Sequence, residues 1–390
     1  MNRWLTVALA LLALATCGMA RAEGAVVVPH TRSVRLSGKQ SEWARQGVLG
    51  VQFGKAAAIP AQAGTAAGAL HEVAWLAPAG APAAKWRLAR LPSAAPQVSA
   101  AADPATGQVE LRQGAERVLR YNRKTVDPTP SLDRISEANR IYARPRSDYI
   151  DPLYGPSGEP MTRDLPIDHP HHRGIYWAWP ETQYGAEMGD LHALQRVWAR
   201  PAEPMALTSG PVYAEVRADS LWMWEDREPI VRETAVIRAY RSVEGARTVD
   251  LTFTFRALKE GVTIARRGTA AYGGLNQRMN EVQDQKITFH TDGQGASPRM
   301  AWGDLSGRFA GSAKAAGLTV FQVASNPCYP GDWVQYPELN WFQPTFPAAN
   351  MRRPLSTEQP LTLRFRLWVH PGATPSDETL RTLWSAANQR

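Results

Sequence analysis

The sequence predicts an all-β protein, organised as a large two-sheet antiparallel β-sandwich with a small N-terminal β domain and a short C-terminal helix. Segments in which apolar and polar side chains alternate recur along most of the chain, and they are rich in Val, Thr, Phe and Trp. One segment, near the C terminus, has the apolar spacing that is typical of an amphipathic helix. Hydrophobic residues make up 44% of the chain, which is enough to fill the core of a large sandwich.

The first residues have the pattern of a signal peptide rather than of a folded element. A basic residue, Arg3, precedes an apolar run, and residues 20–22 match the small-residue pattern of a cleavage site. We expect cleavage after Ala22, so that residues 1–22 are removed and the mature protein is periplasmic or secreted. The alternative is a lipoprotein anchor at Cys17, but the threonine before this cysteine fits a lipoprotein motif poorly.

Charge and cysteine content narrow the class of protein. The formal net charge is +8 and the signal peptide carries two arginines, so the mature chain is at 8 − 2 = +6. The basic residues are scattered, whereas nucleic-acid-binding proteins usually cluster them in a stripe, so we expect no nucleic-acid partner. Cys328 remains as the single cysteine of the mature chain, which therefore depends on its core and not on an internal disulfide. No later segment reaches the ~20 apolar residues that a transmembrane helix requires.

Turn-forming residues divide the mature chain into two predicted domains. Residues 23–105 contain short apolar or alternating runs separated by Ala, Pro and Gly, as in a small β domain of short strands. Residues 106–390 begin with a β-hairpin whose polar turn, QGAE, occupies residues 113–116. Residues 124–172 then form a long stretch dense in Pro, Gly and Asp. Because this stretch is also rich in aromatic residues, we expect an ordered loop that frames a site rather than a disordered segment.

The strands that follow this loop are predicted by strict alternation. In VDLTFTFRAL, the side chains of Leu251, Phe253 and Phe255 point to one face and polar side chains to the other, as in a sheet packed on one side. The same alternation places Trp177 and Trp179 together on one face of GIYWAW. Further strands are predicted in GPVYAEVRADSLWMWE, PIVRETAVIRAYR, QKITFHTD, LTVFQVAS and LTLRFRLWVHPG.

The last element is a predicted helix in the segment SDETLRTLWSAANQ. Ser376 is a favoured residue for its N-cap, because a serine side chain accepts a hydrogen bond from the first turn. Leu380, Leu383 and Trp384 then form one apolar stripe that would pack on the sandwich.

The segment DHPHHRG, residues 168–174, contains three of the eight histidines of the chain. If its backbone is extended, His169 and His171 project to one side, and such a pair can clamp a metal ion when a distant ligand completes the site. A divalent metal held by His169 and His171 is therefore one hypothesis. General acid–base catalysis by His169, His171 and His172, helped by a carboxylate, is another. The structural alternative is a buried polar network that anchors the long loop.

Two neighbouring features supply polar side chains. Arg173 either clamps a carboxylate or a pair of hydroxyls of a substrate, or forms an ion pair with a nearby aspartate. In AYGGLNQRMNE, the glycine pair permits a tight bend or a close approach of a ligand, after which Asn276 and Arg278 supply donors and Glu281 a carboxylate. The alternative is an ordinary turn followed by a polar strand.

Two later segments complete the set of candidate residues. WGDLSG reads as a strand end that offers Asp304 as a site carboxylate. The aromatic loop SNPCYPGDWVQYPELNW carries Asn326, Trp333 and Trp341. A tryptophan in a loop presents a flat apolar face and a polar N–H, which suits the C–H face and hydroxyls of a sugar; its alternative role is to anchor the loop.

Several of these motifs occur in the order found in a known family. The sequence resembles the bacterial PmoA-like family, also called methane oxygenase PmoA, over roughly residues 115–375. The resemblance implies a secreted β-sandwich protein in a carbohydrate context, but it does not assign a reaction. The sandwich also resembles the galactose mutarotase-like supersandwich, which is an analogy of fold alone. The shared segments are YIDPLYGPSGEPMTRD, DHPHHRG, YGGLNQR, WGDLSG, SNP followed by DW, and RLWVHPG.

These observations predict an exported enzyme that acts on a sugar or glycoside through its histidine-rich site, by epimerisation, hydrolysis or elimination. Two alternatives remain: a non-catalytic carbohydrate-binding protein, and the metal-dependent oxygenase that the family name implies. The partner is expected to be a small molecule or an oligosaccharide. The candidate catalytic residues are His169, His171, His172, Asp304 and Glu281. The candidate substrate-binding residues are Arg173, Asn276, Arg278, Asn326 and Trp333.

Overall fold

A computed structural model describes residues 30–44, 48–66, 69–78, 86–293 and 295–388. The predicted signal peptide, with Cys17 and its cleavage site, lies outside the described residues. Among the helices in those ranges, none combines the length and the apolar character that crossing a lipid bilayer demands.

The N-terminal part forms a small five-stranded antiparallel sheet with its own core. The strands run in the order β1-β4-β3-β2-β5. Val51, Val73 and Trp75 are buried between this sheet and helix α1. The elements are β1 (His30–Arg35), α1 (Gly38–Ala44), β2 (Leu49–Phe53), β3 (Ile59–Ala66), β4 (Ala69–Ala77) and β5 (Trp86–Arg90).

In the larger part of the chain, nearly all the regular secondary structure consists of strands. Its first half contains β6 (Val98–Ala102), β7 (Val109–Gln113), β8 (Glu116–Tyr121), α2 (Glu137–Arg140), β9 (Ile150–Leu153), β10 (Ile175–Ala178), β11 (Glu181–Tyr184), β12 (Glu187–Gly189), β13 (Val197–Thr208), β14 (Tyr213–Trp224), β15 (Glu228–Tyr240) and β16 (Arg247–Ala257). Its second half contains β17 (Val262–Ala265), β18 (Gly274–Arg278), β19 (Val282–His290), β20 (Trp302–Phe309), β21 (Ala316–Gln322), β22 (Trp333–Tyr336), β23 (Trp341–Pro344), β24 (Arg352–Pro354), β25 (Leu361–Pro371) and α3 (Asp377–Asn388). Short 3-10 helices cover Thr129–Arg134, Arg267–Thr269 and Pro337–Leu339.

Two eight-stranded sheets form the sandwich, which confirms the predicted fold class. The first sheet has the order β22-β23-β18-β10-β9-β8-β7-β6, and the second has the order β13-β14-β15-β16-β25-β21-β20-β19. A smaller sheet, β12-β11-β17-β24, accompanies them. Strand β6 pairs with β7 in the first sheet, whereas the sequence analysis assigned residues 98–102 to the N-terminal domain.

Aromatic side chains fill the space between the two large sheets. Trp177 of the first sheet packs edge-on against Phe253 and Phe255 of the second, with ring centroids 5.0 and 5.1 Å apart. Trp179 stacks on Trp177 and also contacts Phe255. The predicted alternation of both segments is thus confirmed. Because side chains alternate along a strand and both Ile175 and Trp177 point into the core, Tyr176 between them points to the outer face of the first sheet.

The outer face of the second sheet is covered by α3. Leu380 and Leu383 of the helix pack on Trp302, Phe321 and Trp368, and together they form a separate hydrophobic cluster. The predicted N-cap is confirmed, because the Ser376 Oγ accepts a hydrogen bond from the Thr379 N–H at 3.3 Å.

One carboxyl group, Glu233, lies in the core between the sheets. Its Oε2 accepts a hydrogen bond from Trp222 Nε1 at 2.8 Å. Burial raises the pKa of Glu233 well above its usual value, and the nearby Asp148 carboxylate raises it further. The folded protein therefore favours the neutral form of this carboxyl.

We expect this carboxyl to make stability fall as pH rises. Because the pKa of Glu233 is higher in the folded than in the unfolded chain, its contribution is complete below pH ~4 and is lost as pH approaches the folded value. Each unit by which folding raises this pKa corresponds to about 1.4 kcal/mol. Because the lowered pKa values of the buried histidines change stability in the opposite direction over the same pH range, the effect of Glu233 is measured as a difference between two proteins. Urea unfolding at pH 5 and pH 8 measures it: relative to the wild type, Glu233→Gln should gain stability as pH rises, and the exposed control Glu358→Gln should not. The same pH dependence in all three proteins would contradict the assignment.

Candidate functional site

The candidate site lies on the outer face of the first sheet, where β10, β18 and β23 run side by side. In this register Tyr176 is opposite Asn276, and Arg278 is opposite Trp341. The side chains of the intervening residues, such as Leu275 and Phe342, belong to the core of the sandwich. The four outward-pointing side chains thus form the floor of the site.

Histidines reach this floor from the long loop after β9. The backbone of the histidine motif is not extended, because the His172 N–H donates a hydrogen bond to the His169 carbonyl at 2.9 Å and closes a turn. The extended backbone on which the expected pairing of His169 with His171 depended is therefore absent, although their ring centroids lie 5.9 Å apart. The turn instead brings the rings of His171 and His172 to a centroid distance of 4.6 Å.

A third histidine, His192, completes a group that we call the imidazole cluster: His171, His172 and His192. One ring nitrogen of each lies within 4.8 Å of one nitrogen of each of the others. The ring of His192 is 4.5 Å from that of His171 and 5.3 Å from that of His172. A tight turn presents His192, in which the Asp190 carboxylate accepts a hydrogen bond from the Ala193 N–H at 2.8 Å.

The ring nitrogens of the imidazole cluster are available as lone-pair donors. His192 Nδ1 is 3.1 Å from the Tyr176 hydroxyl, which orients this ring and leaves its Nε2 for another partner. The Nδ1 atoms of His171 and His172 are buried and make no hydrogen bond among the described residues. Burial lowers the pKa of His171 to about 3, and it lowers those of His172 and His192 well below their usual value. Neutral imidazoles are the form that binds metals.

Arg146 holds the two histidine-bearing segments together. Its guanidinium donates hydrogen bonds to the His192 carbonyl at 3.0 Å and to the Trp177 carbonyl at 2.9 Å, with a longer one to the His171 carbonyl at 3.5 Å. It also lies 4.2 Å above the centre of the Tyr176 ring. The long loop, the turn at His192 and strand β10 are therefore fixed to one another.

An aromatic wall stands beside the imidazole cluster. It consists of Trp341, Tyr336 and Tyr272. The rings of Trp341 and Tyr336 are stacked with centroids 4.7 Å apart, and Tyr272 meets Trp341 at 5.4 Å. His172 is 5.3 Å from Trp341, so the wall and the imidazole cluster share one boundary. Both tyrosines are partly exposed.

His169 lies at the rim and outside the imidazole cluster. Its Nδ1 is 3.0 Å from the Asp168 carboxylate, and 38% of its side chain is exposed. Its ring stacks on that of His172 at 4.9 Å. The structure thus groups His171 with His172 and His192, instead of with His169 as the predicted metal pair required.

Two predicted substrate-binding residues do belong to the site. Arg278 is buried beside Asp168, whose carboxylate accepts a hydrogen bond from its Nη2 at 3.2 Å. The Nε and Nη1 atoms of Arg278 and both amide atoms of Asn276 have no hydrogen-bond partner among the described residues. The close approach predicted for the glycine pair occurs, but toward the neighbouring strand: a Cβ on Gly274, where φ is +137°, would lie 2.6 Å from the Pro344 carbonyl oxygen.

The two predicted carboxylates lie elsewhere. Asp304 is fully buried with His370 and Thr319, at 2.9 and 2.7 Å from its Oδ2. It shares the outer face of the second sheet with Trp302, so the whole core separates it from the imidazole cluster. Glu281 has 70% of its side chain exposed and forms an ion pair with Arg163. Neither carboxylate is the partner of the histidines. Strand alternation directs Asp304 to the far side of the second sheet, and Glu281 lies at the surface with Arg163.

Three further candidates have structural roles. The Arg173 side chain is buried against Asp164 at 3.1 Å and donates a hydrogen bond to the Arg144 carbonyl, as the ion-pair alternative foresaw. Asn326 exchanges two hydrogen bonds with the backbone of Arg364. Trp333 packs in the sandwich core and donates a hydrogen bond from Nε1 to the Met300 carbonyl. These side chains anchor loops and do not reach the imidazole cluster.

Sequence reasoning missed His192, Tyr176 and Arg146 as parts of the site. His192 is a single histidine in the segment GDLHALQ, about twenty positions after the motif, and no spacing rule links the two. Its neighbour Asp190 offered a faint signal, since an aspartate two positions before a histidine is typical of a structured polar turn.

The fold and the imidazole cluster together define a two-sheet antiparallel β-sandwich with a histidine-rich site on one sheet face. Residues 108–385 match a family of unknown function, DUF6807, and the chain belongs to that family. The matched range contains both large sheets and every residue of the site. No curated protein is significantly similar to the chain.

Proposed function

We propose that the protein is an exported enzyme that acts on a sugar or a related polyhydroxylated compound, and that its imidazole cluster holds a divalent metal ion. The single observation that carries the proposal is the convergence of three neutral imidazoles, His171, His172 and His192, beside an aromatic wall. The carbohydrate context that the resemblance to the PmoA-like family implies agrees with this proposal.

The support for a metal comes from the donor set and its surroundings. Three histidines with no carboxylate among them match catalytic metal sites that keep a further position for water or substrate. Tyr176 holds the ring of His192 from its other nitrogen, which is the usual arrangement around a metal-binding histidine. A first-row divalent ion at such a site acts as a Lewis acid on a bound hydroxyl, carbonyl or water.

His169 is better suited than the imidazole cluster to move a proton. It is partly exposed at the rim, and the Asp168 carboxylate at 3.0 Å can fix its tautomer and the orientation of its ring. We therefore assign the general acid or base role to His169 and the metal-binding role to the three buried rings.

The support for a sugar-like substrate comes from the aromatic wall and the free polar groups near it. Trp341 is buried behind Tyr336, whose partly exposed ring stacks on it, and Trp341 Nε1 has no hydrogen-bond partner among the described residues. Sugars combine an apolar C–H face with many hydroxyls, so they match a platform that lies beside unsatisfied donors and acceptors.

Replacing Tyr336, the partly exposed ring of the aromatic wall, with alanine tests the substrate side of the proposal. We expect the affinity for sugars to fall about tenfold or more, because a stacked aromatic contact and its buried area are lost. Isothermal titration calorimetry of the zinc-loaded protein against a panel of monosaccharides and oligosaccharides measures this. Trp198→Ala, at a half-buried tryptophan of the second sheet, is the matched control. Equal affinities of both variants for every sugar would contradict the proposal.

Two measurements separate the alternatives. A non-catalytic binding protein would bind sugars without converting any of them. An enzyme would lose turnover in His169→Ala with little loss of binding affinity. Stoichiometric iron or copper in the purified protein, detected by elemental analysis, would favour an oxidative reaction of the kind that the family name implies; zinc would favour hydrolysis, epimerisation or elimination.

A further inference from the structure

Three arginines surround the imidazole cluster, and among the described residues only Arg278 has an ion-pair partner. Arg146 is buried and donates its hydrogen bonds to backbone carbonyls, while the Asp148 carboxylate acts on its charge without contact. Arg278 is buried with a single partner, Asp168. Arg267 is exposed, and its guanidinium lies 5.9 Å from the centre of the Tyr272 ring, which belongs to the aromatic wall.

Of these three arginines, Arg278 has the most buried nitrogens without a hydrogen-bond partner among the described residues. Its side chain is 4% exposed, while that of Asp168 is 44% exposed, so the ion pair is solvated on one side alone. Two of its three nitrogens, Nε and Nη1, are buried without a partner. Leaving donors of a buried charged group unpaired costs free energy, and such groups in proteins usually face a ligand or an ordered water.

Arg278 also has the right place on the floor of the site. It lies directly opposite Trp341 in the pairing of β18 with β23, so the guanidinium is next to the aromatic wall that Trp341 forms with Tyr336. On the other side of the imidazole cluster, Arg267 donates a hydrogen bond to the Tyr272 hydroxyl at 3.2 Å, which fixes a second cation at the aromatic wall.

We propose that the substrate is anionic: a carboxylate-bearing sugar of the uronate class, whose carboxylate is bound by Arg278 and attracted by Arg267. The inference rests on the proposed function, since it names the substrate class of the same site. A carboxylate can accept hydrogen bonds from Nε and Nη1 of Arg278, which have no partner among the described residues, and charge-assisted hydrogen bonds to arginine are stronger than neutral ones. The hydroxyl oxygens of a neutral sugar can accept the same hydrogen bonds, but they bring no negative charge, so the binding is weaker.

Calorimetric titrations with D-glucuronate and D-galacturonate, each paired with its neutral parent D-glucose or D-galactose, test this. They are run on both the metal-stripped and the zinc-loaded full-length protein. We expect each uronate to bind about tenfold or more tightly than its parent in both forms, because the arginines and not the metal carry the preference. D-glucose 6-phosphate in the same series distinguishes a carboxylate site from a phosphate site.

Three variants and one control identify the residues that produce the preference for uronates. Arg278→Gln should bring the uronate and the neutral sugar to similar affinities without changing the zinc content, and Arg278→Lys should restore part of the preference. Arg267→Gln, at an exposed position that cannot disturb the fold, should weaken uronate binding by roughly threefold. Arg217→Gln, at an exposed arginine of β14, should leave both affinities unchanged.

The outcomes separate this inference from the proposed function. Uronate preference without zinc binding would support the anionic substrate and overturn the metal centre. Zinc binding without uronate preference would do the reverse. The inference is also overturned if no sugar binds, if the phosphate ester binds more tightly than both uronates, or if the preference survives Arg278→Gln.

Discussion

Replacing His192 with alanine is expected to weaken metal binding by at least ~100-fold, because loss even of a residue that merely supports a ligand typically costs 10- to 100-fold in affinity. His192 supplies one of the three nitrogens that lie within 4.8 Å of one another, and Tyr176 already orients its ring. With two imidazoles left, the site falls below the three protein ligands of catalytic zinc sites. A chelator-competition titration with zinc measures the change.

His169→Ala is the matched control for this prediction. His169 belongs to the same sequence motif and stacks on His172, but it lies outside the imidazole cluster and binds Asp168 instead. Its removal should leave zinc affinity within about threefold of the wild type, since no ligand is lost. Equal losses in His169→Ala and His192→Ala, or no loss in either, would show that the cluster is not the metal site.

Replacing Phe255 with alanine should lower the free energy of unfolding by ~3–5 kcal/mol, the range for a fully buried phenylalanine. Phe255 is completely buried and contacts Trp177, Trp179 and Trp222, so its ring joins the two sheets at the centre of the sandwich. The rigid tryptophans around it cannot collapse into the cavity, which places the expected value in the upper part of that range. Urea unfolding followed by tryptophan fluorescence measures the change.

Phe255→Leu and Arg217→Gln are the controls for the packing prediction. Leucine keeps much of the buried volume and should cost clearly less than alanine. Arg217 is exposed on the second sheet, so Arg217→Gln should change stability by no more than ~0.5 kcal/mol. A loss below 1 kcal/mol in Phe255→Ala would mean that the two sheets do not pack through this residue.

The fold was predictable because a strand reveals its buried face in a short stretch of sequence. Phe253 and Phe255 are two positions apart and face the same core, and the same rule placed Trp177 opposite them. The helix at the C terminus carried both its cap and its apolar stripe within ten residues. The order of strands in each sheet was not predictable, because long-range pairing leaves no local pattern.

The site was predictable only in part, for the same reason. The density of histidines located the correct loop, and the pairing of β18 with β10 and β23 brought Asn276, Arg278 and Trp341 to it. The sequence did not identify the residues that contact the histidines where this depended on which face of a strand or loop a side chain occupies. Asp304 occupies the outer face of the opposite sheet, and a turn rather than an extended backbone decides which histidines converge.

The most direct test of the metal centre is an anomalous diffraction experiment on crystals of the zinc-loaded protein, with data collected on both sides of the zinc absorption edge. The account predicts one strong peak at about 2.0–2.1 Å from a ring nitrogen of each of His171, His172 and His192, the distance typical of zinc–imidazole bonds. A map without a peak between these three rings, or with its strongest peak at His169 or elsewhere on the surface, would contradict it.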